Sequence, residues 1–98
     1  MEEIPANNVV LRNPYCEIKD HPTFGVKSII IERVEDHQEN DAILQLIEES
    51  DIDMHSEDVY LSTMIGADNR GYSNVISSTQ RYTIIDNFMR KGWKVEEL

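Results

Sequence analysis

A single cysteine, Cys16, leaves the chain without any internal disulfide and suits a reducing, cytosolic setting. No apolar run exceeds three residues, as in Ile29–Ile31, so no stretch is long enough for a bilayer-crossing helix. The opening Met-Glu-Glu-Ile-Pro is acidic and lacks the basic-then-apolar order of a secretory signal. Bases are scarce, with nine Lys and Arg against nineteen Asp and Glu, for a net charge of −10. Such a balance opposes nucleic acid or an anionic membrane as a general binding surface. G-x-S-x-G, H-E-x-x-H and C-x-x-C are all missing, which removes the common hydrolase, zinc-protease and thiol-redox signatures. Cys16 has His21 nearby, with His37 and His55 elsewhere, but no signature of nucleophilic catalysis surrounds them. No catalytic residue, metal ligand or cofactor is expected.

What is present fits one globular domain of 98 residues, 40% hydrophobic and 29% charged. Pro5, Pro14, Pro22 and Gly25 break residues 1–25 into two short apolar stretches, Val9–Leu11 and Tyr15–Ile18. These read as an N-terminal edge strand, a hairpin or a loose arm. Residues 26–98 read as the core. Val26–Val34 is β-branched and brief, a central strand. Asp36 with Glu39 predicts the cap of a first helix, with Ile43, Leu44 and Ile47 at helical spacing and an end near Ser50. Val59–Ile65 and Tyr72–Ile76 make a hairpin across the turn-formers at 67–71. Ser77 or Ser78 caps a second helix whose apolar face holds Tyr82, Ile85, Phe88 and Met89, and Gly92 stops it. Trp93, Val95 and Leu98 alternate as a closing strand. From residue 26 the order is β-α-β-β-α-β, the ferredoxin-like α+β pattern with both helices on one face of an antiparallel sheet. Ile30 and Ile85 are expected to meet in its core.

Gly66 to Ser73, GADNRGYS, differs by one residue from the phosphate-cradling G-x-x-x-x-G-K-[ST]. Tyr72 cannot supply the lysine charge, Asp68 would repel phosphate, and the helix cap comes several residues late. A hairpin turn is the expectation. Read differently, Arg70-Gly71-Tyr72-Ser73-Asn74-Val75-Ile76-Ser77 resembles the third-strand motif of RNA-recognition modules at Arg70, Gly71, Tyr72 and Val75. Asn74 and Ser77 stand where that motif has aromatic rings, and Ile30 stands where a stacking ring belongs. Arg70, Tyr72 and Asn74 form an alternative sheet-face site on this resemblance. Asp51-x-Asp53-x-His55-x-Glu57-Asp58 resembles a calcium loop but has Ser56 in place of the turn glycine and Ser62 in place of the bidentate glutamate. It reads as a solvated acidic loop.

The acidity is local. Residues 32–58 hold eleven Asp and Glu against Arg33 alone, whereas residues 66–95 sum to +3. Glu48, Glu49, Asp51 and Asp53 cluster at the first helix's C-terminal end, where the macrodipole disfavours negative charge by about 0.3–1 kcal/mol each. With Glu39, Asp41, Glu57 and Asp58 they make a candidate partner-binding face. The expectation is a cytoplasmic, non-enzymatic module that inhibits or regulates a nucleic-acid-processing protein with a basic surface. The face would then mimic DNA, a device fitting a phage or mobile-element product by size and charge. Direct nucleic-acid and membrane binding are not expected. The alternatives are an RNA-recognition-like or small-ligand module using the sheet around Tyr72, and a structural subunit that pairs sheet edges in a homo-dimer or larger oligomer.

Overall fold

Five strands pair into one antiparallel sheet: β1 (Val9–Arg12), β2 (Val26–Arg33), β3 (Val59–Gly66), β4 (Gly71–Ser77) and β5 (Lys94–Glu97). Two α-helices, α1 (Asp41–Glu49) and α2 (Ser78–Arg90), pack against it, and a 3-10 turn spans Val34–His37. This computed structural model describes residues 4, 8–37, 40–50 and 59–98. The α+β class, the antiparallel sheet and the two helices match the sequence expectation.

The strand order is β4-β3-β2-β1-β5. A ferredoxin-like order would place β4 between β2 and β3. Here β2 pairs directly with β3 along its length, apart from a register shift between Val26 and Ser28. The N-terminal strand takes the other side of β2. Val9, Val10 and Leu11 are all buried, so β1 has apolar residues for both faces and takes an interior place between β2 and β5. It is neither an edge nor an arm.

Register decides which side chains meet. Val9 lies opposite Ile31, and Leu11 opposite Ile29, and all four are buried on the face that α2 covers. Tyr60 and Ile76 are paired on that same face. Leu61 and Val75, one residue along each strand, point the other way and pack with Val34 and Ile43 of the α1 side. Both faces of the β3–β4 hairpin are therefore apolar, and each needs a cover. That places the helices on opposite faces of the sheet, not on one. Ile30 shares the α1-side face and is only half-buried, so it does not meet Ile85.

The helices also differ in detail from expectation. Asn40, not Asp36, caps α1 by accepting from the Ala42 N–H at 3.0 Å, and the helix is nine residues long. In α2, Ser77 and Gln80 form a reciprocal capping box. Its inward stripe is Arg81, Ile84, Ile85, Phe88 and Met89, while Tyr82 is 59% exposed. Gly92 ends the segment in the left-handed region at φ +93°, with the Tyr15 hydroxyl 2.8 Å from where a Cβ would stand. Trp93 then enters the core, and β5 follows with Leu98 exposed beyond it.

Asn13 holds the β1–β2 connection. Its side chain, 8% exposed, donates to the carbonyls of Val26 (2.7 Å) and Thr23 (3.0 Å) and accepts from the Tyr15 N–H (2.9 Å). His21 stacks on Tyr15 at 4.1 Å and accepts from the Thr23 N–H through Nδ1.

Candidate partner-binding surface

The amphipathic pattern of α1 sets where its charges go. Ile43 is buried and Leu46 and Ile47 are half-buried against β3 and β4, which leaves Asp41, Glu48 and Glu49 in solvent. Glu48 and Glu49 occupy the last turn, and that turn carries no basic residue. The unpaired carbonyls of a helix end already concentrate negative charge there. By contrast α2 ends in Arg90, which also pairs with Asp86 at 3.0 Å one turn back. Glu49 accepts from the Gln45 side chain at 3.3 Å. Of the expected face, Asp41, Glu48 and Glu49 are thus exposed on one short helix. Glu39, Asp51, Asp53, Glu57 and Asp58 lie outside the described residues, as does most of the calcium-like loop.

GADNRGYS is a turn between strands. Gly66 N–H donates to the Arg70 carbonyl at 2.9 Å, Asn69 adopts φ 65°, and Arg70 N–H donates to the Asp68 carboxylate at 3.1 Å. The segment has no helix at its end to face a phosphate, since α2 begins at Ser78. Tyr72 and Asn74 alternate along β4, with Arg70 just before its start, and all three are exposed, Tyr72 at 67%, with Met64 paired across from it. Tyr72 and Asn74 sit on the outermost described strand and share their face with α2, so the ring stands at a margin of the sheet.

Two features escaped sequence reasoning. The first is Arg81, 7% exposed inside α2's inward stripe, with its guanidinium 5.0 Å from the Tyr60 ring centroid. Burial pushes its pKa below the ordinary arginine value; Tyr60 opposes that shift and Arg33 adds to it. Spacing alone did not separate it from Tyr82, because residues 81 and 82 lie four and three positions before Ile85 and each is about one turn away. The second is an open groove of about 340 Å³ along β4, lined by Leu46, Glu49, Ser50, Asn74, Val75 and Gln80. It brings the acidic end of α1 to the β4 edge, which pairs with no further strand among the described residues.

Cys16 is half-exposed beside a second cavity, and its carbonyl accepts from Gly25 N–H. His21 is engaged by Tyr15 and Thr23. No helix among the described residues is long and apolar enough to cross a membrane. No family model matches the chain, and comparisons with curated proteins and with solved structures likewise give no significant match.

Proposed function

We propose that this protein is a non-enzymatic binding module that presents the acidic end of α1 to a basic protein surface, inhibiting or regulating a cytoplasmic nucleic-acid-processing partner. The carrying observation is the pair Glu48 and Glu49, exposed in a last turn that has no base. Local stability favours bases at that position, as α2 shows with Arg90, so an external partner is the better account of the carboxylates. A track of negative charge within the acidic window of a −10 chain can substitute for DNA phosphates, which repeat about every 3.4 Å per strand. A phage or mobile-element origin fits this reading.

The test neutralises Glu48, Glu49, Asp51 and Asp53 together as Gln or Asn. The melting temperature is expected to stay the same or rise slightly, as dipole and like-charge repulsion are relieved. Association with a basic partner captured from host lysate should weaken, and its salt dependence should flatten. Duplex DNA should compete with the wild-type protein for that partner. Equal affinity of variant and wild type at every salt concentration leaves the carboxylates a solubility role only.

A second reading rests on Tyr72, exposed with Arg70 and Asn74 beside it. One ring at a sheet margin supports about 1–3 kcal/mol of base stacking, too little for firm binding alone. Labelled single-stranded RNA is therefore expected to show no shift at low salt. Micromolar binding that Tyr72→Ala abolishes would put this reading first.

A further inference from the structure

The two edges of the sheet are built differently. β5 is four residues long and carries Lys94, Glu96 and Glu97, the charges that keep an edge from pairing with another chain. β4 is seven residues long, with no charged residue, no proline and no register shift against β3. Its hydrogen-bonding phase follows from the turn. Gly66 and Arg70 are a hydrogen-bonded pair, so alternation makes Met64 with Tyr72, Ser62 with Asn74 and Tyr60 with Ile76 the bonded pairs. The N–H and C=O groups of Gly71, Ser73, Val75 and Ser77 then point away from β3. Ser77 N–H is taken by Gln80 Oε1 at 2.9 Å, which closes the ladder at that end. Among the described residues no strand pairs with this side of β4, so Gly71, Ser73 and Val75 remain as a three-residue template that runs into the groove at Val75.

We propose that this edge receives an extended, basic segment of a protein partner as a sixth, antiparallel strand. This rests on the basic-partner reading above and specifies how such a partner docks. Charge and face select the occupant. Side chains of the incoming strand opposite Gly71, Ser73 and Val75 project to the α1 face, where Glu49 lines the groove. Those between them project to the Tyr72 face, beside a ring 67% exposed and Met64, 42% exposed. The fitting segment alternates basic residues with apolar ones, main-chain bonds giving affinity and alternation giving specificity. A second copy of this chain fits less well, because a two-fold pairing of β4 would bring the two acidic α1 helices onto one face.

The probe is a seven-residue peptide alternating lysine and valine, compared with a peptide of the same composition in which lysines and valines form blocks. A glutamine-for-lysine version of the alternating peptide supplies the neutral control. With the full chain, the alternating peptide is expected to bind about tenfold more tightly than the blocked one, the equivalent of one or two main-chain hydrogen bonds. Methylating its lysine amides should remove that advantage, and methylating its valine amides should not. The Ser73 and Val75 amides should gain protection from hydrogen exchange. Ser73→Pro, which deletes one outward N–H without touching the β3 ladder, should have the same effect as lysine methylation. The peptide methylation arm stands even where that variant fails to fold. Equal binding of alternating and blocked peptides, insensitive to methylation, overturns the edge proposal and leaves the acidic reading intact. Binding of neutral and basic peptides alike overturns both. A sedimenting dimer that Ser73→Pro dissociates overturns the proposal in favour of a second copy.

Discussion

Ile85→Ala and Ile31→Ala are each expected to lower stability by about 2–5 kcal/mol, whereas Ile30→Ala should cost clearly less than either. Ile31 and Ile85 have no exposed surface and meet in one cluster with Val9, Leu11, Ile29, Ile76 and Trp93. Removing a buried side chain there loses transfer free energy, and it leaves a cavity that a sheet pinned on both sides of β2 cannot collapse. Ile30 faces the other way and is only partly buried, so part of its side chain contributes nothing to begin with. Urea denaturation of the three variants measures the differences directly. If Ile30→Ala costs as much as Ile31→Ala, the pairing of Val9 with Ile31 is wrong, because a slip of one residue exchanges the two faces of β2.

Asn13→Ala carries the second large effect, expected at about 2–4 kcal/mol. One amide serves the Val26 and Thr23 carbonyls and the Tyr15 N–H, in a connection that has no strand or helix of its own to satisfy them. Truncation strands all three in a partly buried place, and each lost partner carries a desolvation penalty. Thr23 Oγ1, 3.1 Å from the same Nδ2, loses its contact as well. Asn13→Asp keeps the acceptor for Tyr15 but sets a carboxylate against two carbonyl oxygens, so it should stabilise no better than alanine. Thermal unfolding of both variants tests this. A loss below about 0.5 kcal/mol for Asn13→Ala would mean that water replaces the amide and that the connection is held elsewhere.

Local signals carried much of the fold. The β3–β4 hairpin, its turn, the Ser77 cap and the Gly92 stop follow from residues close in sequence, where turn chemistry and capping act. Pairing between distant strands left no such mark. Val9–Leu11 is too short to declare whether it lies at an edge or in the interior, and its neighbour β5 comes more than eighty residues later. The run Ile29–Ile31 hides its own phase, since three identical side chains show no alternation. Asn40 and Asp36 are both acceptable caps, and only the 3-10 turn at Val34–His37 decides between them. The acidic end of α1 was readable from charge and dipole alone. Its position at the β4 edge was not, because it depends on α1 packing over Leu61 and Val75 rather than beside α2.

The interior place of β1 has a consequence for synthesis on the ribosome. Val9 pairs with Ile31 on one side and with Glu97 on the other. The first strand made is therefore left with one bare edge until the last strand has cleared the exit tunnel. Chains are extended at about 5–20 residues per second, so that edge waits for seconds beside other nascent chains. Three of its four side chains are apolar, and its outer backbone groups have nothing to bond but water or a stranger. A stop codon or protease cut before Lys94 makes that interval permanent. Such a fragment keeps the hairpin, both helices and the loop stapled by Asn13, yet offers an apolar seam where the complete sheet has none.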